Sequence, residues 1–422
     1  MNEPLTFSYV DPLLPTKERR AIPEENHYFT LLASVTSASS ININMSIMRR
    51  KKHCSILTIE RNVWKIIHKS LEMGNPTHLM RQLVNWLAFL KVTFGVDYVF
   101  DITFARHLSL LHSAKEFINN WNNNETKWPI LNSVCPGWVC YMEKTHGPLV
   151  PYLSQVKSPQ QIMGSLLKEC WHEQNGTSSV YHLSVMPCFD KKLEASREYF
   201  INKETGEKDV DCVLTPIEIE QLLQLKELTF QQLPCCNLDV FNDKFSTDTH
   251  SIYSHPGSGS GGYAENVLAM VAMKLFTLKQ LPELKFTSRR NKDFQEITLT
   301  NENNDNGQSL KFAIVNGFRN IQTLVQMIKR NKCEYQFVEV MACPGGCLNG
   351  GAQVRPSELT QDAFMEQVKL IYNSITPTSV PLTVTDDVDI WLQIVNQEKK
   401  DKLFLTQFKA VPKTTNLLSL KW

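Results

Sequence analysis

The apolar positions of this chain change period repeatedly after about residue 82. Helical spacing over 83–90 is followed by strand-like runs, which cover 96–100, 128–134, 180–187, 210–214, 310–315 and 337–342. Helix-start signals stand between them: a Ser or Thr cap precedes a proline at Ser158-Pro159 and Thr215-Pro216. After the run at 310–315, Gly317 leads into a helical pattern that ends at Lys329. This alternation predicts an α/β fold in which mainly parallel sheets are flanked by helices. Because two such series are present, we expect two lobes.

The pattern divides the chain into three regions. Residues 1–80 are interrupted by a Ser/Asn-rich stretch and a basic run, and they predict a divergent, weakly ordered N-terminal arm. Residues 81–355 predict the two-lobed α/β core. Residues 356–422 predict a helical C-terminal region, with helices near 358–375 and 388–398 packing on the outside of the lobes, and then a polar tail. The Asn-rich segment 301–307 predicts a surface turn between two strands.

Composition and charge narrow the class of protein. The chain has 422 residues, 42% hydrophobic and 21% charged, which is typical of a globular protein with more than one core. Lys+Arg number 44 against 43 Asp+Glu, so no net field favours binding to nucleic acid or to an acidic membrane. No segment offers the roughly 18 uncharged apolar residues that span a bilayer, and the first residues do not form a signal peptide. We therefore expect a soluble, cytoplasmic protein. The basic run at 49–52 leaves nuclear import open, although a solvated charged face is the preferred interpretation.

Three of the strand-like runs end at a cysteine. The run at 128–134 leads into Cys135, the run at 180–187 into Cys188, and the run at 337–342 into the pair Cys343 and Cys347, which encloses Pro-Gly-Gly. In an open parallel sheet the loops beyond the carboxyl ends of the strands line the ligand crevice, so these thiols can meet there. Four thiolates suit a [4Fe-4S] cluster or a zinc ion. The four cysteines are therefore candidates for one metal site.

Other residues compete for a role in such a site. Lys191 and Glu194 follow Cys188 closely and either offset cluster charge or form an exposed ion pair. The segment 257–262 matches a dinucleotide fingerprint but follows no hydrophobic strand, so we expect its amides to support the cluster and not to bind nucleotide. The remaining candidates are interpreted as packing, loop or structural residues: Cys140, Cys170, Cys212, Cys235, Cys236, Cys333, His146, His182 and His255. Cys54 lies in the basic stretch and has no cysteine partner nearby in the sequence.

Four motifs taken together resemble one known family. They are Cys135-Pro136-Gly137-Trp138, Ser158-Pro159-Gln160-Gln161, Met186-Pro187-Cys188, and Cys343-Pro344-Gly345-Gly346-Cys347 followed by Asn349-Gly350-Gly351. In this order, over about residues 85–422, they resemble the iron-only hydrogenase-like family. The similarity is strongest to the eukaryotic branch of cytosolic iron-sulfur assembly adaptors, the nuclear prelamin A recognition factor-like proteins.

The resemblance implies a two-lobed hydrogenase-like fold and one [4Fe-4S] cluster on Cys135, Cys188, Cys343 and Cys347. It implies a carrier role in maturing extramitochondrial iron-sulfur proteins. In true hydrogenases a proton-transfer cysteine occupies the position of Val134, and because valine cannot relay protons we do not expect an enzyme. A hydrogenase-type reductive enzyme and a metal-poor, prelamin-binding-like interaction protein stay open as alternatives, and the sequence does not distinguish a transferred cluster from a structural one.

Both ends of the chain bear on the family comparison. Members of this branch carry a second cluster on an N-terminal cysteine-rich motif, whereas only Cys54 precedes Cys135 here, so we expect one cluster. At the other end, Leu420 and Trp422 resemble the tail by which clients engage the late targeting complex, a set of WD-repeat and associated proteins. An aromatic residue in a polar tail offers a large contact surface, and we expect Trp422 to bind this complex.

Overall fold

The computed structural model describes residues 54–59, 91, 95–123, 127–171, 176–177, 179–225, 227, 239, 255–278, 280–301, 308–374 and 397–412. Within these residues the strands are β1 (Cys54–Ile59), β2 (Tyr98–Asp101), β3 (Ile130–Asn132), β4 (Val180–Val185), β5 (Cys212–Leu214), β6 (Thr287–Asn291), β7 (Phe294–Thr300), β8 (Ser309–Asn316) and β9 (Phe337–Met341). The α-helices are α1 (Thr103–Asn122), α2 (Pro136–Thr145), α3 (Pro159–Leu166), α4 (Asp190–Ala195), α5 (Pro216–Leu225), α6 (Tyr263–Leu275), α7 (Phe318–Lys329), α8 (Gln361–Ser374) and α9 (Gln397–Phe404).

The strands form two sheets. Sheet A has the order β2-β1-β4-β5, and all of its pairings are parallel. Sheet B has the order β3-β9-β8-β7-β6, in which β3, β9 and β8 are parallel and the β8-β7-β6 meander is antiparallel. The prediction of an α/β fold with mainly parallel sheets and helices is confirmed. Since β3 lies between strands of sheet A in sequence but pairs in sheet B, the chain crosses between the two sheets.

Helices pack on sheet B from both sides. A large core cluster joins α1, α3 and α6 to residues of both sheets, including Ile56 of sheet A and Phe312 of sheet B. A second cluster on the other face of sheet B contains Trp138 of α2 and Ile321 of α7. The apolar runs of β8 and β9 are buried on both faces, as expected for parallel strands covered by helices.

Several local predictions are confirmed. Helices begin after Ser158 and Thr215, and the strand at 309–316 passes through Gly317 into α7. Gly317 has φ +81°, a conformation that favours glycine at this strand-to-helix turn. The Asn-rich segment connects the antiparallel strands β7 and β8, although residues 302–307 lie outside the described part of the chain. The helical pattern over 83–90 also lies outside it.

The interpretation of residues 1–80 as a weakly ordered arm is wrong for residues 54–59. These six residues form β1, which pairs with β2 on one side and β4 on the other at the centre of sheet A. A six-residue apolar run is too short to be distinguished from a loop or a helix fragment by its period alone. Cys54, read as part of a basic stretch, begins this strand, and burial raises the pKa of its thiol to about 11.

The described part of the C-terminal region contains the helices α8 and α9, and part of it enters the core. α8 packs over the loop after β9 in a small cluster with Leu348, Phe364, Val368 and Tyr372. Leu403 and Phe404 at the end of α9 belong to the main core cluster, so this helix is not confined to the outside of the lobes. Most of the helix predicted near 388–398 lies outside the described residues. No helix that the structure describes is both long and apolar enough to cross a bilayer.

Candidate metal centre

The four candidate cysteines stand on loops at the carboxyl ends of three parallel strands. Cys135 follows β3 and is the N-cap residue of α2, and Cys188 follows β4 just before α4. Cys343 and Cys347 follow β9, with Cys347 inside a short 3-10 helix, Gly346–Asn349. Two of these loops therefore come from sheet B and one from sheet A. This is the arrangement expected where two lobes meet at their strand ends.

The thiols influence one another electrostatically. The pKa of Cys188 is raised by burial first, then by Asp190, and then by Cys135 and Cys347. Burial raises the pKa of Cys343 to about 11, and Cys135 is the next cause. Because only nearby charges act in this way, the four cysteines share one neighbourhood. Cys135 is buried, whereas Cys188, Cys343 and Cys347 are half-buried.

Backbone groups already bond to three of the sulfur atoms. The Asp190 N–H donates to Cys188 Sγ at 3.2 Å. Bonds from the backbone of Ala342 and Trp138 oppose the rise that burial causes in the pKa of Cys135, and the backbone of Gly351 acts similarly on Cys343. Such bonds favour the thiolate form and tune the potential of a bound cluster.

Glycines let the three loops approach closely. A Cβ atom on Gly137 would lie 2.6 Å from Asp190 Oδ2, which joins the Cys135 and Cys188 loops. A Cβ atom on Gly350 would lie well under 3.0 Å from the Pro187 carbonyl oxygen, which joins the Cys347 and Cys188 loops. Since the second contact is with backbone, it cannot be relieved by rotating a side chain.

Lys191 and Glu194 form a buried network beside Cys188. Lys191 Nζ lies 2.7 Å from Glu194 Oε2, and the Ser158 hydroxyl donates to Glu194 Oε1. Gln160 donates through its amide to the Lys191 carbonyl oxygen at 3.2 Å. The alternative of an exposed ion pair is therefore wrong, because both residues are buried. Burial is the main reason that the pKa of Cys135 is raised, and the charge of Lys191 opposes this rise slightly.

The chemistry of the donor set fits an iron-sulfur cluster, although the thiols do not form a closed metal cage. Among the described residues, no three His, Cys, Asp or Glu side chains form a metal-binding group. The fit rests on four thiols from three loops, backbone N–H donors to their sulfurs, and a buried lysine beside them. Soft thiolates of this kind select zinc or iron-sulfur clusters among biological metals.

A family comparison decides between the protein classes that share this architecture. Residues 64–351 match the model described as "Iron only hydrogenase large subunit, C-terminal domain". The chain belongs to the iron-only hydrogenase large-subunit family. It is 43% identical over 358 residues to "Cytosolic iron-sulfur assembly component 3" of Mus musculus, with 82% of this chain and 73% of that protein covered. It is 44% identical over 356 residues to "Cytosolic Fe-S cluster assembly factor narfl" of Danio rerio, with 82% and 84% covered.

Solved structures of the iron-only hydrogenase family share the fold. A variant of [FeFe]-hydrogenase HydA1 from Chlamydomonas reinhardtii superimposes with a TM-score of 0.71 at 22% identity, covering 88% of this chain and 98% of that one. At this identity the similarity concerns the fold alone. The family match and the relatives confirm the resemblance inferred from the four motifs. The structural similarity confirms the predicted hydrogenase-like fold.

Within this family fold, the glycine-rich loop at 257–262 supports the cysteine loop after β9. The Cys347 N–H donates to the Ser260 hydroxyl at 3.0 Å, and a Cβ atom on Gly259 would overlap the Leu348 side chain. In the structure this loop supports the site through the Ser260 hydroxyl, whereas donation from its backbone amides stays a prediction. The loop precedes α6, as the sequence pattern predicted.

The competing histidines have partners elsewhere in the fold. His182 is buried in sheet A, where its ring nitrogens contact the Thr58 hydroxyl at 2.8 Å and the Asp209 carbonyl oxygen at 2.9 Å. His255 stacks on His107, with ring centroids 5.6 Å apart. His146 packs edge-on against Tyr141. Their structural interpretation agrees with these contacts.

The other cysteines occupy varied environments. Cys170 is buried among core residues. Cys140, Cys212 and Cys333 are only partly exposed, and burial raises the pKa of each thiol. Cys235 and Cys236 lie outside the described residues.

Sequence reasoning missed three residues that shape the site. Asp190 bonds to Cys188 through its N–H, and its charge contributes to the raised pKa of Cys135, Cys188 and Cys343. Met341 Sδ lies 3.8 Å from Cys347 Sγ. The Ser133 hydroxyl accepts the Cys135 N–H at 3.0 Å. Each lies within two to six residues of a candidate ligand, and only that proximity could have signalled them.

Two buried carboxyl groups lie between the glycine-rich loop and sheet B. Glu339 of β9 accepts hydrogen bonds from the Ser258 hydroxyl at 3.0 Å and the Ala264 N–H at 2.8 Å. Glu265 of α6 accepts a bond from the Ser258 N–H at 2.8 Å. Burial, followed by the charge of Glu339, raises the pKa of Glu265 to about 8. Burial also raises the pKa of Glu339.

We expect this pair to make the folded protein less stable at alkaline pH. The folded state holds the Glu265 proton up to about pH 8, whereas an unperturbed Glu releases it near pH 4.5. The stabilisation that comes from the protonated Glu265 is full below pH 4.5 and is lost as the pH rises through 8. For one proton, the free energy of unfolding falls by up to about 1.4 kcal/mol per pH unit. Urea unfolding across this range should show a steeper fall for the wild type than for Glu265→Gln. Equal slopes would contradict the assignment.

Proposed function

We propose that this protein is a component of cytosolic iron-sulfur protein assembly that holds one [4Fe-4S] cluster on Cys135, Cys188, Cys343 and Cys347. The observation that carries the proposal is the convergence of these four thiols, in a chain 43% identical to a cytosolic iron-sulfur assembly component. Extramitochondrial apoproteins that require such clusters are the clients implied by this role.

The chain's own residues have distinct tasks at this site. The four thiolates would bind iron, and the N–H groups of Asp190, Ala342 and Trp138 would donate to their sulfurs. Lys191, held by Glu194, would offset part of the negative charge that four thiolates bring. When bound, a [4Fe-4S] cluster supplies one-electron chemistry or transferable iron and sulfide.

We infer that the protein is not a hydrogenase. Val134, at the position where the proton-transfer cysteine is expected, packs among apolar residues of both core clusters. A valine neither gives nor accepts a proton, so the residue before Cys135 offers no relay. The names of the relatives, which are assembly components and factors, support the same inference.

The partner proposed for this role is the late targeting complex of WD-repeat and associated proteins, and the compartment is the cytoplasm. Trp422 is proposed to bind this complex through its indole ring. It lies outside the described residues, ten positions after Pro412. The basic run at 49–52, also outside them, gives nuclear import no support from structure.

Anaerobic purification followed by iron, sulfide and zinc analysis tests the proposed function. We expect about four irons and four sulfides per chain, and no hydrogen evolution from a strong reductant. Stoichiometric zinc without sulfide would favour an interaction protein with a structural metal. Hydrogen evolution at a rate above that of free clusters would favour the enzyme alternative.

A further inference from the structure

A C-terminal strap, residues 405–412, crosses the surface from the end of α9 to α2. The Thr406 N–H donates to the Gln155 carbonyl oxygen at 2.7 Å, where the strap begins. Near its end, the Lys409 N–H donates to Glu143 Oε1 at 3.2 Å and the Val411 N–H donates to the Glu143 carbonyl oxygen at 2.9 Å. The strap therefore ends, at the last described residue Pro412, beside α2, whose N-cap residue is Cys135.

Glu143 also joins the strap to the segment that follows Cys188. Its buried carboxylate forms an ion pair with Arg197 and accepts a bond from the Tyr199 hydroxyl at 3.4 Å. The Arg197 guanidinium stacks over the Tyr199 ring at 4.9 Å, and the ring of Phe408 in the strap lies 6.3 Å from that of Tyr199. The helix after Cys135 and the segment after Cys188 therefore both contact the strap, through Glu143 and through Tyr199.

Apolar side chains are exposed along this line. Phe189, directly after Cys188, is 42% exposed, Leu193 on α4 is 47% exposed, and Val411 on the strap is 48% exposed. Phe189 and Leu193 are four residues apart, which places them on one face of α4. Arg197, two residues after this helix ends, contacts the Tyr199 ring and so leads to the Tyr199–Phe408 contact. We call Phe189, Leu193, Tyr199, Phe408 and Val411 the α4–strap ridge. Single exposed apolar residues are common, but an exposed series beside a candidate metal centre is typical of a contact surface.

The short segment between the strap and Trp422 limits how far from the ridge a partner that binds Trp422 can lie. Trp422 lies ten residues after Pro412, and ten residues reach at most about 36 Å when fully extended. Any protein that holds Trp422 must therefore lie within that reach of Val411. A partner of ordinary domain size that binds Trp422 can therefore also contact the ridge.

We propose that the α4–strap ridge is a second contact for the protein partner that takes the tail, which would present an apolar surface beside its tail-binding pocket. The proposal rests on the proposed function, which supplies both the binding of Trp422 and the identity of that partner. The short tail keeps the second contact at a high effective concentration, so a weak apolar contact raises the overall affinity substantially. Because α4 begins beside Cys188, the partner would be held next to the candidate metal centre.

Binding of the purified late targeting complex to the full, reconstituted chain and to a synthetic peptide of residues 413–422 tests the ridge. We expect the full chain to bind at least about tenfold more tightly than the peptide. Leu193→Ser and Val411→Ser should each remove most of that difference without changing iron content or thermal unfolding. Leu225→Ser is the matched control, since Leu225 at the end of α5 is 58% exposed and lies outside the ridge.

Each outcome bears on one of the two proposals. If the full chain and the peptide bind with equal affinity, the ridge is not a second contact and the tail alone binds the partner. If the full chain binds tightly and the peptide does not bind, the proposal that the tail binds the partner is contradicted. If Leu225→Ser weakens binding as much as Leu193→Ser, or if Leu193→Ser changes the oligomeric state of the free chain, the ridge is not the partner's contact.

Discussion

Replacing Cys343 or Cys347 by alanine is expected to abolish the visible absorption of the purified protein and to lower its solubility. Both residues belong to the loop after β9, and their thiols lie near those of Cys135 and Cys188: Cys135 contributes to the raised pKa of Cys343, and Cys347 to that of Cys188. Loss of one thiolate leaves a cluster with an incomplete ligand set. Because thiolates on loops from both sheets would hold the cluster, cluster binding contributes to folding. Loss of the cluster should therefore lower the free energy of unfolding.

The control variants for this experiment are Cys140→Ala and Cys170→Ala. Cys170 packs in the main core, and Cys140 lies on α2 with its sulfur 3.4 Å from the Arg197 guanidinium. Neither is expected to change the iron content or the shape of the spectrum. Absorption spectra and iron analysis under anaerobic conditions measure the effect. If Cys140→Ala or Cys170→Ala bleached the protein as completely as Cys343→Ala, the ligand assignment would be wrong.

Replacing Gly350 by alanine is expected to prevent most cluster binding although no candidate ligand is replaced. The added Cβ would overlap the Pro187 carbonyl oxygen and would also lie 3.2 Å from the Cys347 carbonyl oxygen. Backbone must then move, and such overpacking typically costs about 1–3 kcal/mol. Since Pro187 precedes Cys188, the movement separates Cys188 from Cys347. We expect iron content to fall to a small fraction of the wild-type value.

The neighbouring Gly351 provides the control. An added Cβ there meets no atom within 4 Å, and alanine keeps the backbone N–H that serves Cys343. Gly351→Ala should therefore bind iron like the wild type and unfold at a similar temperature. Iron analysis and thermal unfolding of the two variants, made side by side, measure the difference. Full iron content in Gly350→Ala would show that the close contact of the two loops does not hold the site together.

Local sequence signals predicted the candidate site because each cysteine follows a strand that its own residues specify. The apolar run at 337–341 is buried on both faces, and the sequence placed Cys343 directly after it. The same reasoning found β4 before Cys188 and β3 before Cys135. Helix-start residues likewise located α3 and α5 to within a residue. In these cases the information lies within a few neighbouring positions.

Long-range contacts decided what the local pattern could not. β1 has only six residues, and its place at the centre of sheet A depends on β2 and β4, which lie far along the chain. The raised pKa of Glu265 depends on burial beside Glu339, which is 74 positions away in sequence. The strap reaches Glu143 from more than 250 residues away.

The sequence by itself determined the family, the α/β alternation and the four candidate thiols, because motif spacing and hydrophobic period are written in adjacent residues. Tertiary structure alone decided which sheet each strand joins, since pairing partners are chosen by packing over the whole core. It also decided that the Gly350 backbone approaches Pro187, that Asp190 lies among the thiols, and that the strap ends beside α2. Such close approaches depend on the excluded volume of distant segments, and no local pattern encodes them.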